Sequence, residues 1–310
     1  MAGGGEVFRG RSPGELAELI RKSESLPANA EFNSKVAQTF GDLLAAYNSR
    51  DTELVKERLD ALRTHLEDAI EDRIDQQFGG SVAKRTYVDG LSDIDSLMII
   101  NDTKLELKTP EAALERITGI LKSRLEKQAE VSHGQMAVTV EYPDGMKIQI
   151  LPAIRTEQGM RIPSSTRDAW SEIEPRGFRQ ALSDRNAECG GKLIPTIKLA
   201  KAILGNLPES QRLSGYHVES LAIEAFRRYD GEKTTAAMLP VFFERAKDLV
   251  LRPIVDKTGQ SVHVDDYLGP VDSEGRRNAS HILGRIEKRM RNANAAGSIG
   301  QWRDLFGVEE

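Results

Sequence analysis

Apolar residues recur at helical spacing early in the chain. Leu54, Leu59, Leu62, Leu66 and Ile70 mark one face of a helix predicted over about 52–73. A similar pattern predicts a helix over about 33–47, and "SPGELAELIRKSESL" reads as an earlier one, with Ser12 as N-cap and Pro13 at the first helical position. At "SDIDSLMII" the pattern changes to a short unbroken apolar run, which is strand chemistry. "PEAALERITGILKSRLEKQ" returns to helical spacing, opened by Pro110. In "AVTVEYPDGMKIQILPA" two β-rich runs flank Pro143-Asp144-Gly145. Proline presets φ and glycine accepts positive φ, so this is a hairpin turn. From Asp168 onward the pattern is mostly helical, through "GGKLIPTIKLAKAILGNL", "GYHVESLAIEAFRRY", "TAAMLPVFFERAKDLVL" and "RRNASHILGRIEKRMRNANAAG". The chain therefore divides into a mixed α/β first half and a helical second half, joined near 163–170.

Composition narrows the class. With 310 residues, 39% apolar and 29% charged, the chain suits one large domain or two lobes sharing a core. No apolar run approaches the roughly 20 residues of a membrane span, and the N-terminus lacks the apolar core of a secretory signal. The single cysteine, Cys189, excludes a disulfide framework and a multi-cysteine metal site; it reads as a small residue near a Gly-Gly turn. These features together suggest a cytoplasmic protein with no membrane partner. A net charge of −5, from 43 basic and 48 acidic residues, does not point to nucleic acid, although a basic patch near the C-terminus stays open. No P-loop, no G-x-G-x-x-G after a strand and no H-E-x-x-H is present, so any nucleotide chemistry uses other means.

The candidate chemistry lies at the mouth of the predicted strand. Asp93 and Asp95 alternate with Ile94, so both carboxylates project to one face. Two such charges repel unless a cation lies between them. Gly80-Ser81, twelve residues before Asp93, forms a small-residue turn whose backbone N–H groups can cradle phosphate. Mg²⁺ takes a few carboxylates plus phosphate oxygens. The acids are therefore expected to hold Mg²⁺ (or Mn²⁺) on a nucleoside triphosphate. The plain alternative is a solvated strand start.

Glycine-serine followed by D-x-D on a strand resembles the DNA polymerase β-like nucleotidyltransferase superfamily. More narrowly, the chain is similar to the bacterial cGAS/DncV-like nucleotidyltransferases. The likeness rests on "GGSVAKRTYVDGLSDID", "VTVEYPDGMKIQILPAI", "KLIPTIKLAKAI", "LSGYHVES" and "VDDYLGPVDSEGRRNA", in the family's order. It implies an α+β fold of two lobes: a mixed β-sheet palm with N-terminal helices over 1–165, and a helical nucleotide-binding lobe over 166–310, with the active site in the cleft. It also implies a metal-dependent enzyme that joins nucleoside triphosphates into a cyclic di- or trinucleotide. That second messenger would switch on a separate effector in bacterial anti-phage (CBASS-type) signalling. Transfer of nucleotides onto RNA or a protein is the enzymatic alternative.

On this resemblance Lys201 sits where the family places a lysine on the triphosphate. Lys198, one turn earlier, shares its helix face. Ser214 is a helix N-cap by type, and a helix start also favours phosphate. The family often has serine immediately before the tyrosine; here that residue is Gly215, which offers a backbone contact without a hydroxyl. Tyr216 matches the residue that stacks on a base, or else anchors the helix start. His217 reads as a structural hydrogen-bonder. Arg276, Arg277, Arg285, Lys288, Arg289 and Arg291 form either a solvated helix face or an electropositive rim.

The pattern breaks at one place. The family's third acid lies three residues before a proline on the second hairpin strand, and here that slot holds Gln149, before Pro152. An amide offers a carbonyl oxygen but neither charge nor basicity. Glu141 is the candidate substitute. A two-residue loop would send it to the other face, and a three-residue loop including Pro143 would make it a diagonal same-face neighbour of Gln149. If nothing substitutes, either the reaction relies more on substrate and water ligands, or the protein is an impaired nucleotide-binding module.

Overall fold

In the computed structural model of the chain, the residues described are 14, 28–49, 51–70, 74–78, 80–88, 94–100, 109–156, 160–164, 169–173, 175–256 and 263–308. Apart from residue 14, the expected helix over 12–26 lies outside them, as does the first acid of the D-x-D pair, Asp93. Strand β1 (Ile74–Phe78) runs antiparallel to β2 (Ile94–Ile100), and β2 runs parallel to β5 (Lys147–Arg155). β4 (Val138–Glu141) and β3 (Glu130–His133) continue the sheet antiparallel, giving the order β1-β2-β5-β4-β3. β6 (Met160–Pro163) pairs with the end of β5, and β7 (Trp170–Ile173) pairs with β6.

Strand alternation gives the sheet two different faces. Ile94, Met98, Ile148, Ile150, Val138 and Val140 point to one and form a core with α2 (Thr52–Ile70) and α4 (Pro110–Leu125). The predicted stripe on α2 is the packed one: Leu59, Leu62, Leu66 and Ile70 are buried there, with Val55 buried and Leu54 only half-buried. α4 begins at Pro110 as expected, and the Thr109 hydroxyl caps it by accepting from the Ala112 N–H. The opposite sheet face carries a small apolar cluster, Leu97, Ile99, Ala153, Ile162 and Ile173, beyond Asp95 and Gln149. Polar residues at the strand mouths and apolar ones further along leave only one end of this face suited to a ligand.

The helical half comprises α5 (Pro175–Glu188), α6 (Leu193–Gly205), α7 (Gly215–Ala225), α8 (Thr235–Leu249), α9 (Glu274–Ala295) and α10 (Ile299–Leu305) around a second core. Two features differ from the sequence expectation. The sheet continues through the expected join to Ile173, because β7 is an edge strand made by pairing with β6 rather than by an apolar pattern of its own. The helix α1 (Ala28–Ala46) belongs by packing to the helical core: Phe40 meets Trp302 and Phe306 edge-on, at 5.2 and 5.7 Å. A hydrophobic stripe shows which face is buried, not against what.

The basic stretch on α9 also needs correcting at its first member. Arg276 is fully buried, neither on a solvated face nor on a rim, and donates to Asp265 Oδ2 at 2.7 Å, Gly269 O at 2.8 Å and Val250 O at 3.0 Å. Arg277, Arg285, Lys288, Arg289 and Arg291 are exposed, and Arg291 pairs with Glu287 one turn earlier. Cys189 is buried in the helical core, just before the Gly190-Gly191 turn. Among the described residues no helix is long and apolar enough to cross a membrane.

Candidate functional site

The parallel register of β2 and β5 puts Asp95 directly beside Gln149, with Thr139 of β4 on Gln149's other side. Between β1 and β2, the Gly80-Ser81 turn is the start of a one-turn helix, α3 (Gly80–Ala83). The Ser81 N–H donates to Asp95 Oδ2 at 3.3 Å. The turn thus orients the acid, a role the phosphate-cradle expectation did not include. The Ser81 hydroxyl is buried and has no hydrogen-bond partner among the described residues, although it lines the cavity below. A buried hydroxyl left in that state is costly, and it marks a place where a ligand oxygen would be welcome.

The opposite wall is cationic and comes from both halves of the chain. Glu219 of α7 is completely buried, and its two oxygens serve two lysines: Lys201 of α6 at 2.7 Å and Lys84, just after α3, at 2.5 Å. The Thr86 hydroxyl also donates to Glu219, and the Lys201 ammonium donates to the Thr86 hydroxyl and carbonyl, both at 3.3 Å. Burial alone would raise the Glu219 carboxyl, but Lys84 and Lys201 outweigh it and hold the group below the usual carboxylate range. Burial pulls the Lys201 ammonium below the ordinary lysine range, with Glu219 pulling the other way. Two ammoniums against one carboxylate leave this wall with a surplus positive charge.

Gly215, where the family often has serine, has a local explanation. A Cβ there would stand 3.3 Å from Lys201 Nζ and 3.4 Å from its Cε, so glycine makes room for the ammonium. Ser214 caps α7, its hydroxyl accepting the His217 N–H at 3.2 Å, while its own N–H donates to the Tyr267 hydroxyl. Tyr216 presents one ring face to Phe178, centroids 4.6 Å apart, and its hydroxyl donates to Asp256 at 2.6 Å. His217 is buried against the Tyr267 hydroxyl, 2.8 Å from Nδ1, and near Asp265. Its pKa falls to about 4, because burial and, to a smaller extent, Arg276 outweigh the pull of Asp265. It is a neutral structural group, as the sequence suggested. Lys198 bonds Asn48 at the end of α1 and does not line the cavity.

The two walls enclose a cavity of about 320 Å³. Of the residues expected from sequence, Ser81, Asp95, Gln149, Lys201, Gly215 and Tyr216 line it together. Ser214 precedes the lining residue Gly215, and Gly80 precedes the lining residue Ser81. Lys84, Arg212 and Glu219 line it too and were missed. Lys84 was readable in principle, lying one turn after Ser81. Glu219 was not, since its role depends on a contact between residues 133 positions apart.

The hairpin settles the question about Glu141. Tyr142 and Met146 close a three-residue loop, Thr139 pairs with Gln149, and Glu141 pairs with Lys147, so Glu141 does share the face of Gln149. Its carboxylate, however, is bound to Lys147 at 3.1 Å and lines a different surface depression. It supplies no second charge at the Asp95 end.

The oxygens that do line that end are the Asp95 carboxylate, the Gln149 amide and the unpartnered Ser81 hydroxyl. A hard cation sharing phosphate oxygens fits such a donor set. Among the described residues no group of three or more histidine, cysteine, aspartate or glutamate side chains could hold a metal alone.

Residues 35–186 match the model of the Second Messenger Oligonucleotide or Dinucleotide Synthetase domain. None of the curated proteins matches the chain. Several solved structures share its fold. CdnC of E. coli MS115-1, solved with ATP, superposes with a TM-score of 0.67 at 15% identity, covering 88% of this chain and 98% of its own. The Bradyrhizobium diazoefficiens CD-NTase CdnG, in complex with GTP, gives 0.64 at 18% identity, covering 81% and 89%. The Vibrio cholerae DncV cyclic AMP-GMP synthase, in complex with the linear intermediate pppA(3′,5′)pG, gives 0.62 at 11% identity, covering 94% and 87%.

Proposed function

From the premise that this chain is a cGAS/DncV-like nucleotidyltransferase, we propose that it joins nucleoside triphosphates into a cyclic di- or trinucleotide in the cavity between its two halves. The observation that carries the reading is the meeting of Ser81, Asp95 and Lys201 on one cavity from three separate parts of the chain. Lys201 and Ser81 hold the triphosphate. Asp95, with Asp93 before it, would hold Mg²⁺ or Mn²⁺, which when bound supplies charge stabilisation to the reacting phosphate. Tyr216, which lines the cavity, stacks on a base. In the reaction the 3′-hydroxyl oxygen of one nucleotide bonds to the α-phosphorus of the next, the α–β phosphoanhydride breaks, and pyrophosphate leaves. The protein contributes mainly position and charge.

The hydroxyl proton is the weak point. The Gln149 amide cannot accept it, and Glu141 is held by Lys147. This favours a second reading, a nucleotide-binding module with little or no turnover. As the wider setting we propose a cytoplasmic signal for a separate effector in anti-phage defence. Incubating the protein with each α-labelled nucleoside triphosphate and Mg²⁺ or Mn²⁺, followed by phosphatase, separates the readings. Phosphatase-resistant small products support synthesis of a cyclic messenger. A labelled macromolecule would redirect the activity to RNA or protein. Binding without product would leave the module.

A further inference from the structure

Lys84 is the member of the cation wall with the fewest structural duties. Lys201 is tied to Glu219 and to both oxygens of Thr86. Lys84 meets one oxygen of Glu219, and otherwise its ammonium lies 5.0 Å from the ring centres of Phe178 and Tyr216. Its side chain is 12% exposed and lines the cavity beside Ser81. An ammonium carries three donors, and ring faces attract it electrostatically without using them as a carboxylate does. The one carboxylate also serves Lys201, so the charge of Lys84 is only half answered by protein. A purely structural ion pair would be built the other way, one cation to one acid, since burying surplus charge is costly.

Resting on the nucleotide reading above, we propose that Lys84 is a second triphosphate ligand, acting beside Lys201, and that Glu219 is the positioning residue that fixes both ammoniums at the cavity wall. The arrangement brings one lysine from the palm and one from the helical half to the same polyphosphate. Ligand binding thus draws on both halves at once, and Thr86, bonded to Glu219 and Lys201, keeps the two halves in register. The chemistry recognised is polyphosphate rather than base or sugar.

The test is calorimetric titration of inorganic tripolyphosphate and of ATP and GTP, with adenosine and guanosine as uncharged controls, into wild type, Lys84→Met and Lys198→Met. Methionine keeps an unbranched apolar stem of similar length and removes the charge. Lys198→Met removes the same charge from the helix of Lys201, at a side chain bonded to Asn48 outside the cavity. We expect Lys84→Met to weaken tripolyphosphate and nucleoside triphosphate roughly 10- to 100-fold, the range for a hydrogen bond to a charged group, with nucleoside binding and Lys198→Met unchanged. If Lys84→Met fails to fold, Lys84→Gln, which can still donate to Glu219, carries the same comparison. Equal triphosphate affinity in wild type and the Lys84 variant would overturn the proposal and return Lys84 to fastening the two halves. Equal losses in the Lys84 and Lys198 variants would also overturn it, as a general charge effect. A wild type that binds no triphosphate would instead fail the nucleotide reading itself.

Discussion

The two walls of the cavity are built on opposite principles. The cationic wall, made by Lys84, Lys201, Glu219 and Thr86, is buried, mutually bonded and drawn from both halves of the chain. The acidic wall rests on one strand pair, where Asp95 lies beside an amide and the next carboxylate along, Glu141, is already paired to a lysine. The contrast separates binding from chemistry. Holding a triphosphate needs cations in place before the ligand arrives, and the first wall has them. On the proposed reading, transferring a nucleotide also needs negative charge and a proton acceptor under the attacking hydroxyl, and among the described residues the second wall offers Asp95 beside an amide.

The largest effect should come from the acidic wall. Asp95→Asn keeps an oxygen to accept the Ser81 N–H, so the fold should hold, while product formation should fall roughly 10³-fold or more. Unchanged product with a native melting curve would remove Asp95 from the site. Next in size is the keystone of the cationic wall. Glu219→Ala leaves two lysines facing each other, and chemical denaturation should show a loss of about 3 kcal/mol, the lower end for breaking a buried pair. A loss below about 0.5 kcal/mol, typical of a surface pair, would mean that the wall does not depend on Glu219.

A smaller effect concerns the footing of α7, which carries Gly215, Tyr216 and Glu219. His217, in its first turn, has a pKa of about 4 against an ordinary 6.5, so the folded protein keeps the ring neutral while the unfolded chain protonates it sooner. The stabilisation is whole above about pH 6.5 and is lost as pH falls toward 4, amounting to about 2 kcal/mol between pH 6.5 and 5. Stability measured against pH should therefore slope less steeply over that interval in His217→Gln than in wild type; parallel curves would contradict the buried neutral ring. The smallest effect is at Gly215. A Cβ there crowds the Lys201 ammonium by a few tenths of an ångström, so Gly215→Ser should raise the nucleotide KM only several-fold, about 1 kcal/mol. A 100-fold change would show that the lysine cannot yield.

Much of this was readable beforehand because it depends on local pattern. The stripe on α2, the opening of α4 at Pro110, the hairpin around Asp144 and the cap at Ser214 follow from side-chain period and turn chemistry within a few residues. Most of the candidate site was also legible: the spacing of Ser81 and Asp95 carries their chemistry, and the family resemblance pointed to Gln149, Lys201 and Tyr216, which line the same cavity. What escaped depends on distant partners. The docking of α1 on Trp302, the burial of Arg276 by Asp265 and the service of Glu219 to two lysines have no signature in their own neighbourhoods. Glu141 shows the limit most clearly. Loop length decides its face, and the sequence allows either a two- or a three-residue loop; its capture by Lys147 has no sequence signature, because the same alternation allows a free carboxylate.

The claim that binding is complete while chemistry lacks one charge is tested most directly at Gln149. Aspartate there places a carboxylate beside Asp95, in a slot one methylene shorter, and leaves the cationic wall untouched. Single-turnover rates and nucleotide Kd should be measured together for wild type and Gln149→Asp with Mg²⁺ and Mn²⁺. The account predicts a faster rate of product formation with the nucleotide Kd changed less than about twofold. An unchanged rate in a protein that makes product, or a gain that appears only as tighter nucleotide binding, would contradict it.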